Sequence, residues 1–260
     1  MNYKVIAISR IITDSLSVII PAYNEGKRIT KHLFHIDEFL IHNAPHSEII
    51  VINDGSTDDT DSIVKDIGAH IQTPLTCLRK PNGGKGSAVQ VGMLMSTAKL
   101  KLFTDADGST NIKELLPVYR ALIKAKAQIA IGSRSLPKSN ILTPQPFHRK
   151  ITGNSLKALT RMTILPGILD TQCGFKLFEK DAADILFPRQ TMKGFSFDLE
   201  VLYLARKYGL SITEVPITWE DKDGSTVNPL KEGFRFIKAI GTLILNNKLE
   251  RYAPIESFTN

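Results

Sequence analysis

Cysteine is scarce in this chain. Only Cys77 and Cys173 occur in 260 residues, far apart and without CxxC spacing. Such usage supports neither a disulfide framework nor a cysteine-ligated zinc site, and it fits a reducing compartment. Long apolar runs are also missing. The opening MNYKVIAISRII is broken by Lys4 and Arg10, and no later stretch reaches bilayer length, so neither a signal peptide nor a transmembrane span is expected. The expectation is a cytoplasmic chain, peripheral at the cytosolic face of any membrane it serves. Repeats and low-complexity segments are absent. The single tryptophan, Trp219, sits at the end of an apolar stretch and reads as core filler.

Acid is absent from one long segment. Residues 134–169 contain no Asp or Glu but carry Arg134, Lys138, Arg149, Lys150, Lys157 and Arg161. Acids concentrate instead in two short clusters, Asp54–Asp61 and Asp105–Asp107. The net charge of +7 points to an anionic partner: nucleic acid, phosphorylated lipid or nucleotide. Nothing resembling a helix-turn-helix or an aromatic RNA-binding motif accompanies that charge, so no nucleic-acid partner is expected.

What is present is an alternation of strand and helix. Apolar runs at 17–20, 48–53, 76–79, 99–103 and 128–132 read as strands, and 175–178 and 210–219 as later extended segments. Amphipathic stretches lie between them, including 197–208 and a span from about Arg149 to Met162. Ser56 or Thr57 is placed to cap the second helix, with Asp58 and Asp59 favouring its positive end. This order implies an α/β fold, a mixed, mostly parallel Rossmann-like sheet flanked by helices. Residues 1–15 form an extension, 16–225 the domain, and 226–260 a basic amphipathic helix and tail. On that helix Lys231, Arg235 and Lys238 share one face, while Leu230, Phe234, Ile237, Ile240 and Ile244 share another. The apolar face suits either a membrane interface or packing on the domain.

Ligands of parallel sheets bind beyond the carboxyl ends of the strands. Three segments follow strand ends here: Pro21–Glu25, Asp54-Gly55 and Asp105–Asp107. Asp105 and Asp107 are two apart in an extended stretch and address one side. Hard oxygen donors of this kind suit Mg²⁺ or Mn²⁺, although a turn carrying two acids is the competing reading. Asp54-Gly55-Ser56 is either a strand-to-helix turn or a carboxylate facing a nucleobase. Tyr23 can supply an aromatic wall, and Lys85 in Asn82–Gly86 can reach phosphate. That loop is not GxxxxGK[ST] and does not indicate a P-loop ATPase.

Four stretches in order, SVIIPAYNEGKRI, VINDGSTDDT, NGGKGSAVQVGM and LFTDADGST, resemble the GT-A fold of family 2 inverting glycosyltransferases. The likeness continues through GSR at 132–134, DTQCGFKLF at 170–178 and FSFDLEVLYLARK, and spans about 15–225. The later motifs are most similar to dolichyl-phosphate β-glucosyltransferases and next to dolichyl-phosphate mannose synthases. The resemblance implies that Pro21, Tyr23, Glu25, Asp54, Lys85 and Asp105 bind a nucleotide diphosphate sugar. It also implies that Asp105 and Asp107 hold a diphosphate-bound Mg²⁺ or Mn²⁺. Ser109 stands where mannose synthases place a metal-contacting Gln. Arg134 and Arg149 match the basic positions that hold a polyprenyl phosphate, with Ser133 and Asn154 beside them.

The implied reaction moves a hexose, glucose from UDP-glucose by preference, to a polyprenyl or dolichyl phosphate. GDP-mannose is the alternative donor. A saccharide hydroxyl acceptor would need a carboxylate base, for which Asp198, Glu200 and Asp170 are the candidates. A non-catalytic nucleotide-sugar-binding protein ranks lower, since Asp105, Asp107 and Arg134 are all present. A nucleotidyltransferase would carry a Gly- and Lys/Arg-bearing loop where PAYNEG stands. The acceptor assignment predicts that Arg149→Ala raises the KM for the acceptor far more than that for the donor. Steady-state kinetics showing equal effects on both would remove a dedicated phosphate pocket.

Overall fold

A computed structural model describes residues 12–143, 158, 160–222 and 229–252. Seven strands form the main sheet: β1 (Leu16–Ala22), β2 (Ser47–Asn53), β3 (Leu75–Arg79), β4 (Leu100–Thr104), β5 (Ile129–Ser133), β7 (Phe175–Glu179) and β8 (Ile212–Pro216). Two short strands, β6 (Asn140–Ile141) and β9 (Thr218–Trp219), pair separately. The helices are α1 (Ile29–Asn43), α2 (Thr60–Gly68), α3 (Lys85–Met95), α4 (Leu115–Ala125), α5 (Lys180–Leu186), α6 (Phe197–Lys207) and α7 (Pro229–Lys248). The order across the sheet is β3-β2-β1-β4-β7-β5-β8. All neighbours are parallel except β7, which runs antiparallel between β4 and β5. The sequence expectation of a mixed, mostly parallel sheet holds.

Successive residues of a strand point to opposite faces, and the two cores divide accordingly. Val18, Ile20, Leu102, Ala130 and Leu177 join the layer covered by α1, α2 and α4. Ile19, Phe103, Ile129, Ile131 and Phe178 join the opposite layer, with residues of α3, α5, α6 and α7. Burial on both faces accounts for strands that read as continuous apolar runs.

Two lysines break those runs without leaving the core. Lys101 and Lys176 are each only 1% exposed. The Lys101 ammonium donates to Met93 O at 3.0 Å and Asp184 Oδ1 at 2.8 Å, and that of Lys176 to Cys173 O at 2.6 Å and to Asp198. Burial of a charge is tolerated only with such pairing.

Helix α7 corrects the sequence reading of its own faces. Phe236, Ala239, Ile240 and Leu243 are buried in the second core, whereas Phe234, Ile237 and Ile244 are exposed. Of the described residues on the expected apolar face, only Ile240 packs inward. No described helix is long and apolar enough to cross a membrane. Of the 149–162 helix, residue 158 and residues 160–162 are described and helical.

Close approach of α3 to β1 requires Gly92, whose added Cβ would lie 2.4 Å from Ile19 Cγ2. Gly92→Ala is therefore expected to destabilise the fold by about 1–3 kcal/mol through overpacking. The check is the urea midpoint; an unchanged midpoint would show that α3 shifts freely.

Candidate active site

The site forms where four strand ends and the start of β7 meet. Asn24 adopts a left-handed backbone with φ 56°, which its short polar side chain tolerates. Its amide donates to Ser56 Oγ at 3.0 Å, and its Oδ1 accepts from Thr57 N at 2.8 Å. Glu25 N donates to Thr60 Oγ1 at 2.9 Å, and Asp54 N to Ala22 O at 2.8 Å. Ser56 and Thr57 thus tie the loops after β1 and β2 together and do not cap α2. Asp58 reaches that helix start instead, accepting from Thr60 N at 3.1 Å. Pro21, next to last in β1, is buried, while Tyr23 just beyond the strand is 48% exposed.

Asp54 organises the next loop. Its Oδ1 accepts from Gly83 N at 3.0 Å and its Oδ2 from Gly84 N at 2.7 Å, and Lys80 pairs with it as well. Read from the sequence as either part of a strand-to-helix turn or a carboxylate facing a nucleobase, this buried side chain holds the glycine loop. Gly84, with φ 92°, turns the chain into α3, and Lys85 follows at the first position. Its ammonium lies 2.7 Å from Asp105 Oδ1 and above the Phe103 ring. Burial opposes the Lys85 charge most strongly, but Asp105, Asp198 and Asp107 together hold its pKa above the usual value.

Asp105 follows β4 directly. Its amide donates to Gly174 O at 3.2 Å, because Thr104 pairs with Phe175 in the antiparallel register. A Cβ on Gly174 would fall 2.0 Å from Asp105 Oδ2, so that side chain occupies the space glycine leaves. Asp107 Oδ1 accepts from Ser109 N at 2.9 Å. Gly108, at φ 68°, lies against His32, where a Cβ would meet Nδ1 at 2.9 Å. The His32 ring is buried against this loop, and burial lowers its pKa to about 4. It therefore stays neutral at ordinary pH and adds no positive charge beneath the acidic pair.

Negative charge accumulates here. Burial raises the Glu25 pKa, two hydrogen bonds from Arg28 at 2.6 and 2.7 Å offset part of this, and Asp107 and Asp105 raise it further. Among the described residues, no three His, Cys, Asp or Glu side chains group closely enough to hold an ion by themselves. Ser109 contributes its amide to Asp107 and is itself buried. Two hard carboxylates in an acidic setting fit Mg²⁺ or Mn²⁺ when substrate oxygens and water complete the shell.

Arg134 stands across β7, directly after β5. Its Nε and Nη2 donate to Asp170 at 2.7 and 2.9 Å, its backbone amide adds a third bond at 2.9 Å, and its guanidinium lies 5.5 Å from the Trp219 ring centre. Burial works against the charge, but Asp170 outweighs it and keeps the group protonated. Trp219 is only partly buried, so it backs Arg134 as well as filling the core edge. Ser133 is fully buried, and its carbonyl accepts from Ser139 Oγ at 2.6 Å. Arg149 and Asn154 lie outside the described residues.

The three candidate bases are internal anchors. Asp170 is 0% exposed and engaged by Arg134 through both oxygens. Glu200, also 0% exposed, accepts from Thr191 N, Thr191 Oγ1, Met192 N and Tyr252 Oη. Neither is presented to an acceptor hydroxyl, which corrects that part of the sequence expectation. Asp198 pairs with buried Lys176; burial raises its pKa, against the pull of Lys176 and Lys85. It underlies the site without opening onto it.

Comparison with known proteins identifies the family. Residues 17–187 match the family described as Glycosyl transferase family 2. The chain belongs to that family. It is 37% identical over 236 residues to a dolichyl-phosphate β-glucosyltransferase of Dictyostelium discoideum, covering 86% of this chain and 72% of that one. The Drosophila melanogaster protein of the same description is 36% identical over 233 residues, covering 82% and 69%. Among solved structures, mannosyl-3-phosphoglycerate synthase from Rubrobacter xylanophilus gives a TM-score of 0.68 at 15% identity, covering 95% and 78%. Glucosyl-3-phosphoglycerate synthase from Mycobacterium tuberculosis, in complex with Mn²⁺, UDP-glucose and phosphoglyceric acid, gives 0.68 at 18%, covering 88% and 79%. These likenesses show the GT-A fold, which this family 2 glycosyltransferase shares.

Sequence reasoning did not single out Gly174, His32, Lys80 or Lys176 in this transferase. A glycine just before a strand was a usable signal for a close approach. Nothing local marks a lysine in an apolar strand as buried. Gly174→Ala is expected to displace Asp105 and lower turnover by about a hundredfold or more, as small misplacements of reacting groups do, with the fold retained. Initial rates together with far-UV dichroism check this; near-normal rates would show that Asp105 need not occupy this position.

Proposed function

We propose that this family 2 glycosyltransferase moves glucose from UDP-glucose to a polyprenyl phosphate of the dolichyl type, with inversion at the anomeric carbon. The observation that carries the reading is the placement of opposite charges across β7. The carboxylates of Asp105 and Asp107 stand at the end of β4, and the guanidinium of Arg134 follows β5. One side suits a cation-bound diphosphate and the other an incoming phosphate. The solved neighbours at equal TM-score carry mannosyl and glucosyl names, so the fold leaves the sugar open. The sequence relatives, at 37% and 36% identity, are both glucosyltransferases by description, and they favour glucose over mannose.

In this reading Pro21, Tyr23 and Glu25 line the nucleotide side, and Asp54 supports it through the loop that carries Lys85. Asp105 and Asp107 would hold Mg²⁺ or Mn²⁺, which when bound supplies charge neutralisation at the departing diphosphate. Lys85 adds positive charge at the same point. Arg134, with Arg149, orients the acceptor phosphate, while Asp170 and Trp219 fix the direction of Arg134. A phosphate oxygen of the acceptor bonds to the anomeric carbon as the bond from that carbon to the diphosphate oxygen breaks. The attacking oxygen is already ionised, so no proton moves and positioning carries the step. The absence of an open carboxylate at Asp170 and Glu200 agrees with an acceptor that needs no base. Such an acceptor brings the enzyme into peripheral contact with a membrane, at its cytosolic face.

Purified protein with Mg²⁺ or Mn²⁺, dolichyl phosphate and either radiolabelled UDP-glucose or GDP-mannose tests the proposal. Glucose is expected in the lipid fraction, and absence of lipid-linked product with either donor would overturn it. Asp107→Ala is expected to lower turnover by about a hundredfold or more, since the leaving diphosphate loses its electrostatic support. Its unfolding midpoint should stay near that of the unaltered protein. Unaltered turnover would remove the metal assignment.

A further inference from the structure

The packing of α7 leaves a second apolar face uncovered. Phe236, Ala239, Ile240 and Leu243 follow the i, i+3, i+4, i+7 spacing of one helix face and enter the core, as a surface helix requires. The opposite face of such a helix is ordinarily polar. Here it carries Phe234 at 78% exposure, Ile237 and Leu245 at 52%, and Ile244 at 41%, with Gly241 between them and Leu249, also 52% exposed, just beyond the helix end. Between Gly233 and Lys248 the charges are of one sign, with Glu232 before them and exposed Glu250 after them. Exposed Arg235, Lys238 and Lys248 flank the apolar stripe, and residues 233–248 include no Asp or Glu. Scattered exposed hydrophobics are normal, but a continuous stripe marks a contact surface.

We infer that the outer face of α7 is a docking surface for an anionic lipid bilayer, with Phe234, Ile237, Ile244, Leu245 and Leu249 entering the interface between headgroups and chains. Charge complementarity favours this occupant. An apolar stripe interleaved with the cations Arg235, Lys238 and Lys248 fits a surface whose headgroups are negative and whose interior is hydrocarbon. Continuity with the acceptor side points the same way. The core layer that receives α7 also receives Leu165 and Ile168. Those residues lead into Asp170, the partner of Arg134, from a segment where Arg161 and Met162 are exposed. The helix and the described end of the acid-free segment, at Leu165 and Ile168, thus share one layer. The inference rests on the lipid acceptor proposed above, and it names the surface by which the enzyme reaches that acceptor.

The test is flotation of the full-length protein with vesicles that contain no acceptor. Vesicles of three parts phosphatidylcholine to one part phosphatidylserine are compared with phosphatidylcholine alone. The protein is expected to float with the anionic vesicles and less with the neutral ones, and added salt should weaken the association. Phe234→Ser with Ile237→Ser should reduce binding about tenfold or more by removing the inserted apolar groups, and Lys238→Gln with Lys248→Gln should reduce the preference for phosphatidylserine. Glucosyl transfer to a water-soluble short-chain isoprenyl phosphate should be unchanged in both variants. If the unaltered protein stays with the soluble fraction, or the serine variant floats equally well, the docking surface is overturned. If the protein self-associates through this face, and the serine variant is monomeric with unchanged flotation, the occupant is a second copy and the inference fails. Flotation without any glucosyl transfer would instead overturn the proposed reaction and leave the membrane surface standing.

Discussion

The site depends on one reversal in the sheet. Strand β7 runs antiparallel between two strands that run the other way, so its beginning lies at the edge where β4 and β5 end. Residues just before β7 therefore stand beside residues just after β4 and β5. Gly174 faces Asp105, and Asp170 clamps Arg134. A parallel strand in that position would have sent its preceding loop to the far edge. The absence of a side chain at Gly174 is part of the same constraint, since Asp105 fills that space.

Around this reversal the site is built as a series of paired charges. Asp105 has Lys85, Asp170 has Arg134, Asp198 has Lys176, and Asp54 has Lys80. Three of the four carboxylates, those of Asp54, Asp170 and Asp198, are buried. Burying unpaired charge is costly, whereas a paired and hydrogen-bonded one is held in a single geometry. Asp105 is the most exposed of the four, its side chain 33% accessible. The outermost pair is therefore the one placed to exchange partners with a ligand, and the inner pairs hold its position.

Much of this was legible beforehand. Strand–helix alternation and buried apolar runs led to the mixed sheet, because the period of two and burial on both faces are properties of the chain itself. The three segments after strands β1, β2 and β4 converge as the parallel topology requires. Less legible were the roles inside the converged site. Asp54 binds the glycine loop, Ser56 and Thr57 join two loops, and Glu200 is saturated by Thr191, Met192 and Tyr252. Each role depends on a partner distant along the chain, and motif spacing carries no information about which lone pairs are already taken.

The division between the two sources is clearest at α7 and at Asp105. Sequence alone determined that α7 is helical, basic and amphipathic, and that Asp105 and Asp107 share a strand end, because these are features of periodicity and adjacency. Tertiary structure decided which apolar residues of α7 meet the core and which are left facing out. It also decided that Lys85, Gly174 and His32 surround Asp105. A helix with apolar residues on two faces has two ways to pack, and only the shape of the surface beneath it selects one.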